Sequence, residues 1–247
     1  MIMITTTIMI TITATTTIIM TEVAALYRLM TWLSPAYPTG GFSYSHGLEY
    51  AVEAGMVTTG DALFDWIETT LADGPGLIDG ALLAAAWRAV AADDEVTLGE
   101  VIEIAACWRG TSETALEAFQ PGAAFLSTSR SAWPDPWLDR LAGLLAGRPL
   151  AHAVAVGVAA AASGVPLAAA LVAYLEAFAA NLVSAGVRLV PLGQTAGQIA
   201  QARLLPVVLA AAGRAETTPL DEIGSAALGV ELASMRHETQ YTRLFRS

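Results

Sequence analysis

Strong metal ligands are scarce in this chain. His46, His152, His237 and Cys107 are its only histidines and cysteine, and no two of them stand at His-x3-His, HExxH or CxxC spacing. His237-Glu238 is a fragment of a zinc-protease motif without its second histidine. Each histidine is therefore expected to be structural or on the surface, and no metal site is expected. An acid-rich magnesium motif at Asp93-Asp94-Glu95 needs a further acid where Thr97 stands, so a solvated helix end is the better expectation. Gly193-Gln194-Thr195-Ala196-Gly197-Gln198 has the glycines of a phosphate loop without its lysine; all twelve basic residues are Arg. The lack of lysine also excludes Schiff-base chemistry, and no G-x-S-x-G elbow occurs. The expectation is a protein with no catalytic residue and no cofactor site, and not an enzyme.

Two segments stand out for a different chemistry, the binding of another surface. Residues 34–49, SPAYPTGGFSYSHGLE, concentrate prolines, glycines and hydroxyls between two expected helices, which restricts the backbone to few conformations. The C-terminus holds Arg236, Arg243 and Arg246 within its last twelve residues beside a single acid, Glu238, in a chain of net charge −11. Leu244-Phe245 between two arginines is a good docking tail, with apolar anchors ringed by charge-assisted donors. Cations favoured at a helix C-terminus would give the same pattern.

The elements that must position these segments are helices. Hydrophobic residues make up 55% of the chain and charged residues 14%, against about 25% in an average soluble domain. The acidic balance excludes a nucleic-acid binder with a basic face. A lone cysteine excludes an internal disulfide and suits a reducing, cytoplasmic setting. Pro149 to Leu175 contains no Asp, Glu or Arg, long enough to span a bilayer, but it is Ala-rich and broken at Gly164 and Pro166. A buried helical hairpin is expected there, and no membrane. Residues 1–20 use few residue types and no charge, lack the basic region of a signal peptide, and read as a disordered low-complexity extension or as sequence upstream of a true start at Met20.

From residue 21 the pattern predicts one all-α domain, a single bundle of about ten helices with short connections. Val23, Leu26, Tyr27, Met30 and Leu33 form an apolar stripe on a first helix capped by Thr21. A second helix is expected over Ser43–Glu53, a third capped by Asp61, and a fourth over Leu77–Ala91. Thr97-Leu98-Gly99-Glu100 predicts a capping box. Pro121 is expected to start a new helix, Pro206 to kink or split another, and Asp221 to cap a last one reaching about Gln240.

The segments 34–49, 184–198 (SAGVRLVPLGQTAGQ) and 235–247 (MRHETQYTRLFRS) together carry a resemblance: from about Val23 to Ser247 the chain resembles the UreF-type urease accessory proteins. Gly41 and His46 stand where many members have Ala and Gln. The resemblance implies an all-helical, non-enzymatic scaffold that forms a homodimer and binds the UreD/UreH-type accessory protein. The complex then recruits the nickel-carrying UreG-type GTPase and acts on the urease apoprotein. It implies partner-binding roles for Arg236, His237, Glu238, Tyr241, Arg243, Leu244, Phe245 and Arg246 in the tail. Tyr44 and Glu49 in the first segment, and Arg188 and Gln194 in the second, join them. Arg188 is one of three full charges in the charge-poor stretch 149–213, and is expected either to lock the neighbouring loop or to face the GTPase. The charge-poor region 150–213 is expected to supply the dimer seam. A different reading of the same region is an apolar pocket, in an all-α small-molecule-binding protein or enzyme.

Overall fold

The computed structural model describes residues 22–247; the extension 1–20 and the Thr21 cap lie outside the described residues. Among the described residues the regular structure is helical, with no strand. The order is α1 (22–32), a 3-10 turn (Gly41–Ser43), α2 (Leu48–Glu53), α3 (Gly60–Asp73), α4 (Pro75–Ala91) and α5 (Glu95–Cys107). There follow α6 (Ser112–Ala132), α7 (Pro136–Leu145), α8 (His152–Ala162), α9 (Leu167–Leu189), α10 (Gln194–Thr217), a 3-10 turn (Leu220–Glu222) and α11 (Leu228–His237).

The centre is α8 packed on α4, α6 and α9, with α10 laid along α9, α4 and α3. The expected hairpin is α8–α9, turned by Gly164 at φ +70°. Ala153, Ala155, Ala159 and Ala160 of α8 are buried, and their small side chains allow neighbouring helices to approach on several sides. One helix, Leu167–Leu189, is long and apolar enough to cross a membrane, and 44% of its most apolar window is buried inside the fold.

Several boundaries and one buried face differ from the sequence reading. On α1 the buried stripe is Ala25, Leu29 and Trp32, whereas Val23, Leu26, Tyr27 and Met30 are more than half exposed. Both stripes have helical spacing; the choice falls to Trp32, whose indole meets Phe125 edge-on at 6.1 Å. Asp94, not Thr97, caps α5, accepting from the amides of Val96 and Thr97 at 3.1 and 3.0 Å. Those bonds hold its carboxyl below the usual range. Thr59 rather than Asp61 caps α3. The capping box is at Thr111 and Thr114, a pattern with threonine where glutamate or glutamine is usual.

Pro121 lies inside α6 rather than starting a helix, and α10 runs through Pro206 without being split. A proline removes one bond to the residue four back, and burial of Ala118, Phe125 and Leu126, or of Leu204 and Val208, outweighs that loss. Residues 43–47 form turns before α2, and Asp221 sits in a 3-10 turn well before α11.

Candidate functional site

The tail folds back onto its own protein. After α11, residues 243–247 run into a slot between the 41–49 segment, the start of α6 and the end of α9. Three segments far apart in sequence thereby become one cluster. The Ser45 amide donates to the Ser247 carbonyl at 2.7 Å and the Arg246 amide to the Ser43 carbonyl at 2.8 Å.

The slot depends on backbone shape. His46 and Gly47 both have positive φ, +52° and +73°. At Gly47 a Cβ would stand 2.7 Å from the Ser234 amide nitrogen, so α11 approaches too closely for any side chain there. The turn aims Glu49 inward, where it is 6% exposed. Its carboxylate accepts from the amides of Leu244 and Phe245, the latter at 2.9 Å. It also lies 3.0 Å from His237 Nε2. On the other side of the ring, Nδ1 lies 2.8 Å from Glu113 Oε2, and Arg243 donates to Glu113 Oε1 at 3.1 Å. Burial pushes the Glu113 carboxyl up, opposed by the hydrogen bond and charge of His237.

One turn along α6, Glu117 repeats the arrangement. It lies 2.7 Å from His46 Nδ1 and accepts from the Ser247 hydroxyl at 2.6 Å. Phe245 is buried beneath Arg188, whose guanidinium stands 4.4 Å from the ring centre and donates to the Phe42 carbonyl at 3.0 Å. Glu238 accepts from the Ser112 hydroxyl at 2.7 Å.

Ten of the twelve sites named from sequence divide into two groups. Tyr44, Glu49, His237 and Phe245 face inward, and Arg188 and Arg243, although partly exposed, hold the tail to the body. Arg236, Tyr241, Leu244 and Arg246 face outward, with Tyr241 fully exposed and Leu244 at 64%. Gln194 is exposed at the start of α10 and is not bonded into the cluster. Glu113 and Glu117 were missed. Two acids four residues apart on an otherwise uncharged turn were their only signal, and burial of both needed the tertiary contact.

Arg188→Ala removes a bond to the Phe42 carbonyl, one to the Ser184 carbonyl and the cover of Phe245. The expected cost is roughly 1–2 kcal/mol, seen as a melting temperature several degrees lower. A melt superimposable on wild type would show that Arg188 does not lock this corner.

A second buried polar group lies behind the slot. Arg109 and Asp79 pair at 3.1 Å with side chains 8% and 9% exposed, and the Tyr174 hydroxyl donates to Asp79 at 2.9 Å. Beside them a cavity of about 350 Å³ is lined by Trp32, Tyr44, His46, Arg109, His152 and Tyr174, among others. This corrects the expected apolar pocket within 150–213: much of the wall comes from residues 32–46 and 108–121, and it carries an ion pair. Burial lowers His152 to about 4, so its ring is neutral at pH 7. Among the described residues no three His, Cys, Asp or Glu side chains are grouped to hold a metal ion.

The profile of the UreF family matches residues 57–205. Full-length relatives agree. A urease accessory protein UreF of Granulibacter bethesdensis is 54% identical over 226 residues, covering 91% of this chain and 94% of the relative. The chain belongs to the UreF family. UreF proteins of Rhodopseudomonas palustris and Bradyrhizobium diazoefficiens are 53% and 50% identical, again over more than nine-tenths of each chain. Of the tail cluster, residues 113–117 lie inside the profile match, and 41–49 and 237–247 lie outside it.

Proposed function

We propose that this UreF-family protein is a non-enzymatic scaffold of urease maturation, working in the cytoplasm. It binds the UreD/UreH-type accessory protein through the α11–tail face. The observation that carries this reading is the way the cluster presents that face. Leu228, Leu232 and Met235 point outward at the i, i+4, i+7 positions of α11, between 45% and 66% exposed. The pinned tail adds exposed Tyr241 and Leu244. Exposed apolar residues on a rigid, preorganised support, rimmed by Arg236 and Arg246, suit a protein partner.

The homodimer is assigned to α10. The buried α8 uses up most of the apolar surface first expected to form the seam. Ile199, Ala202, Pro206 and Leu209 leave an uncharged outward stripe on α10. The turn opening α10, around Gln194, is assigned to recruitment of the UreG-type GTPase, which brings nickel to the urease apoprotein. Neither nucleic acid nor membrane is a partner in this reading.

Leu232→Asp tests it. The side chain is 61% exposed, so the fold should keep its melting temperature. Capture of the purified UreD/UreH-type partner should fall at least about a hundredfold, the loss of a hot spot near 3 kcal/mol. Wild-type capture by the folded variant would remove α11 from the interface. A monomer mass by light scattering at micromolar concentration would remove the dimer.

A further inference from the structure

The cavity behind the tail slot gathers most of the buried polar atoms that lack a partner. Among the described residues, eight buried side-chain nitrogens and oxygens have no hydrogen bond. Five of them belong to residues lining this cavity: Trp32, His46, Arg109, Glu117 and His152. His46 and Glu117 stand 2.7 Å from one another. That leaves Trp32 Nε1, Arg109 Nε and His152 Nε2. A buried polar atom without a partner is costly, so three around one space call for an occupant.

The three residues are joined along one floor. Trp32 and His152 both meet the Phe125 ring, at 6.1 and 5.5 Å. The His152 ring meets Tyr174 at 5.5 Å, the Tyr174 hydroxyl donates to Asp79, and Asp79 pairs with Arg109. Each Asp79 oxygen thus already accepts one bond. Arg109 has five N–H groups and, among the described residues, one side-chain hydrogen bond, from Nη2. The Trp32 indole nitrogen only donates. The floor therefore offers N–H groups and suits an acceptor oxygen.

Charge narrows the class. Asp79 and Arg109 sum to zero, and His152 is neutral at pH 7. The other charged groups in the lining are the acids Glu117, Glu176 and Glu231, with His46 against Glu117. An anion would meet those acids, and a cation would meet the guanidinium at the floor. Trp32, Trp108 and Phe178 add flat apolar wall, and about 350 Å³ is within the range of small-molecule sites. We propose that the cavity binds an uncharged aromatic amide or a close relative, whose carbonyl oxygen accepts from Arg109 and Trp32. This site does not rest on the scaffold reading.

The test titrates the full chain by calorimetry with three probes of one shape: benzamide, benzoate and benzylammonium. Benzamide should bind with a Kd below about 1 mM, and the two charged probes at least about tenfold more weakly. Trp32→Phe keeps a ring against Phe125 and removes the N–H. It should weaken benzamide about two- to tenfold, the loss of one neutral hydrogen bond. Ala177→Leu adds bulk at the α9 wall, at a half-buried position that tolerates it, and should abolish binding. Circular dichroism checks that both variants keep their helices. Tighter binding by either charged probe overturns the assigned class. No benzamide binding at millimolar concentration means that water alone fills the cavity and overturns the site. A benzamide Kd unchanged by Ala177→Leu or by Trp32→Phe overturns it as well, because the probe then sits elsewhere.

Discussion

Asp79→Ala should lower the melting temperature by roughly 10 °C, the largest effect of any single side-chain truncation considered. The substitution leaves the Arg109 guanidinium buried at 8% exposure without its carboxylate, and takes from the Tyr174 hydroxyl its acceptor. Removing one partner of a buried ion pair costs about 3–5 kcal/mol. In a chain of this length each kcal/mol moves the melting temperature roughly 2–4 °C. Phe119, 5.8 Å from the Arg109 guanidinium, offers only a weak substitute. Asp79→Asn keeps one acceptor oxygen for Arg109, while its NH2 must donate to the Tyr174 hydroxyl in place of accepting from it, so it should fall between Asp79→Ala and wild type. Calorimetric melts at pH 7 check the order, and an Asp79→Ala melt within about two degrees of wild type would mean that water reaches Arg109.

Adding one methyl group should do comparable damage at Gly122. A Cβ there would lie 2.1 Å from the Leu150 carbonyl oxygen and 2.9 Å from the Ala151 carbon and the His152 nitrogen, all of them backbone atoms. A flexible side chain could turn away, but the entry to α8 cannot move without shifting the centre of the fold. Overpacking of this kind costs typically about 1–3 kcal/mol and more where backbone must yield. Gly143→Ala is the internal comparison: it too is a helical glycine, in α7, and nothing lies within 4 Å of its added Cβ. That change should be neutral or stabilise by about 0.5–1 kcal/mol through helix propensity. If both variants melt alike, the α6–α8 contact is looser than these distances imply.

The helical period and part of the local punctuation were legible because both act over a few residues. Gly164 and Pro166 marked the α8–α9 turn. Absent chemistry was legible too, since a missing lysine or ligand spacing needs no fold to be seen. The three distinctive segments at 34–49, 184–198 and 235–247 were enough to suggest the UreF family, which the relatives then showed.

The face each segment presents was decided elsewhere. On α1 two apolar stripes satisfy the same period, and only the position of Phe125 decides that Trp32 goes inward. In the tail, arginines beside Leu244-Phe245 are equally suited to grip a partner or this chain. Buried acids at 49 and 113, supplied by α2 and α6, draw Phe245 and Arg243 inward and leave Tyr241 and Leu244 outside. Sequence by itself determined the helical class, the α8–α9 turn and the lack of catalytic and metal motifs, because those depend on neighbours along the chain. The tertiary structure alone decided the convergence of His237 with Glu49 and Glu113 and the inward turn of the tail. Those contacts join residues 124 to 196 positions apart, and no local propensity encodes a pairing over that distance.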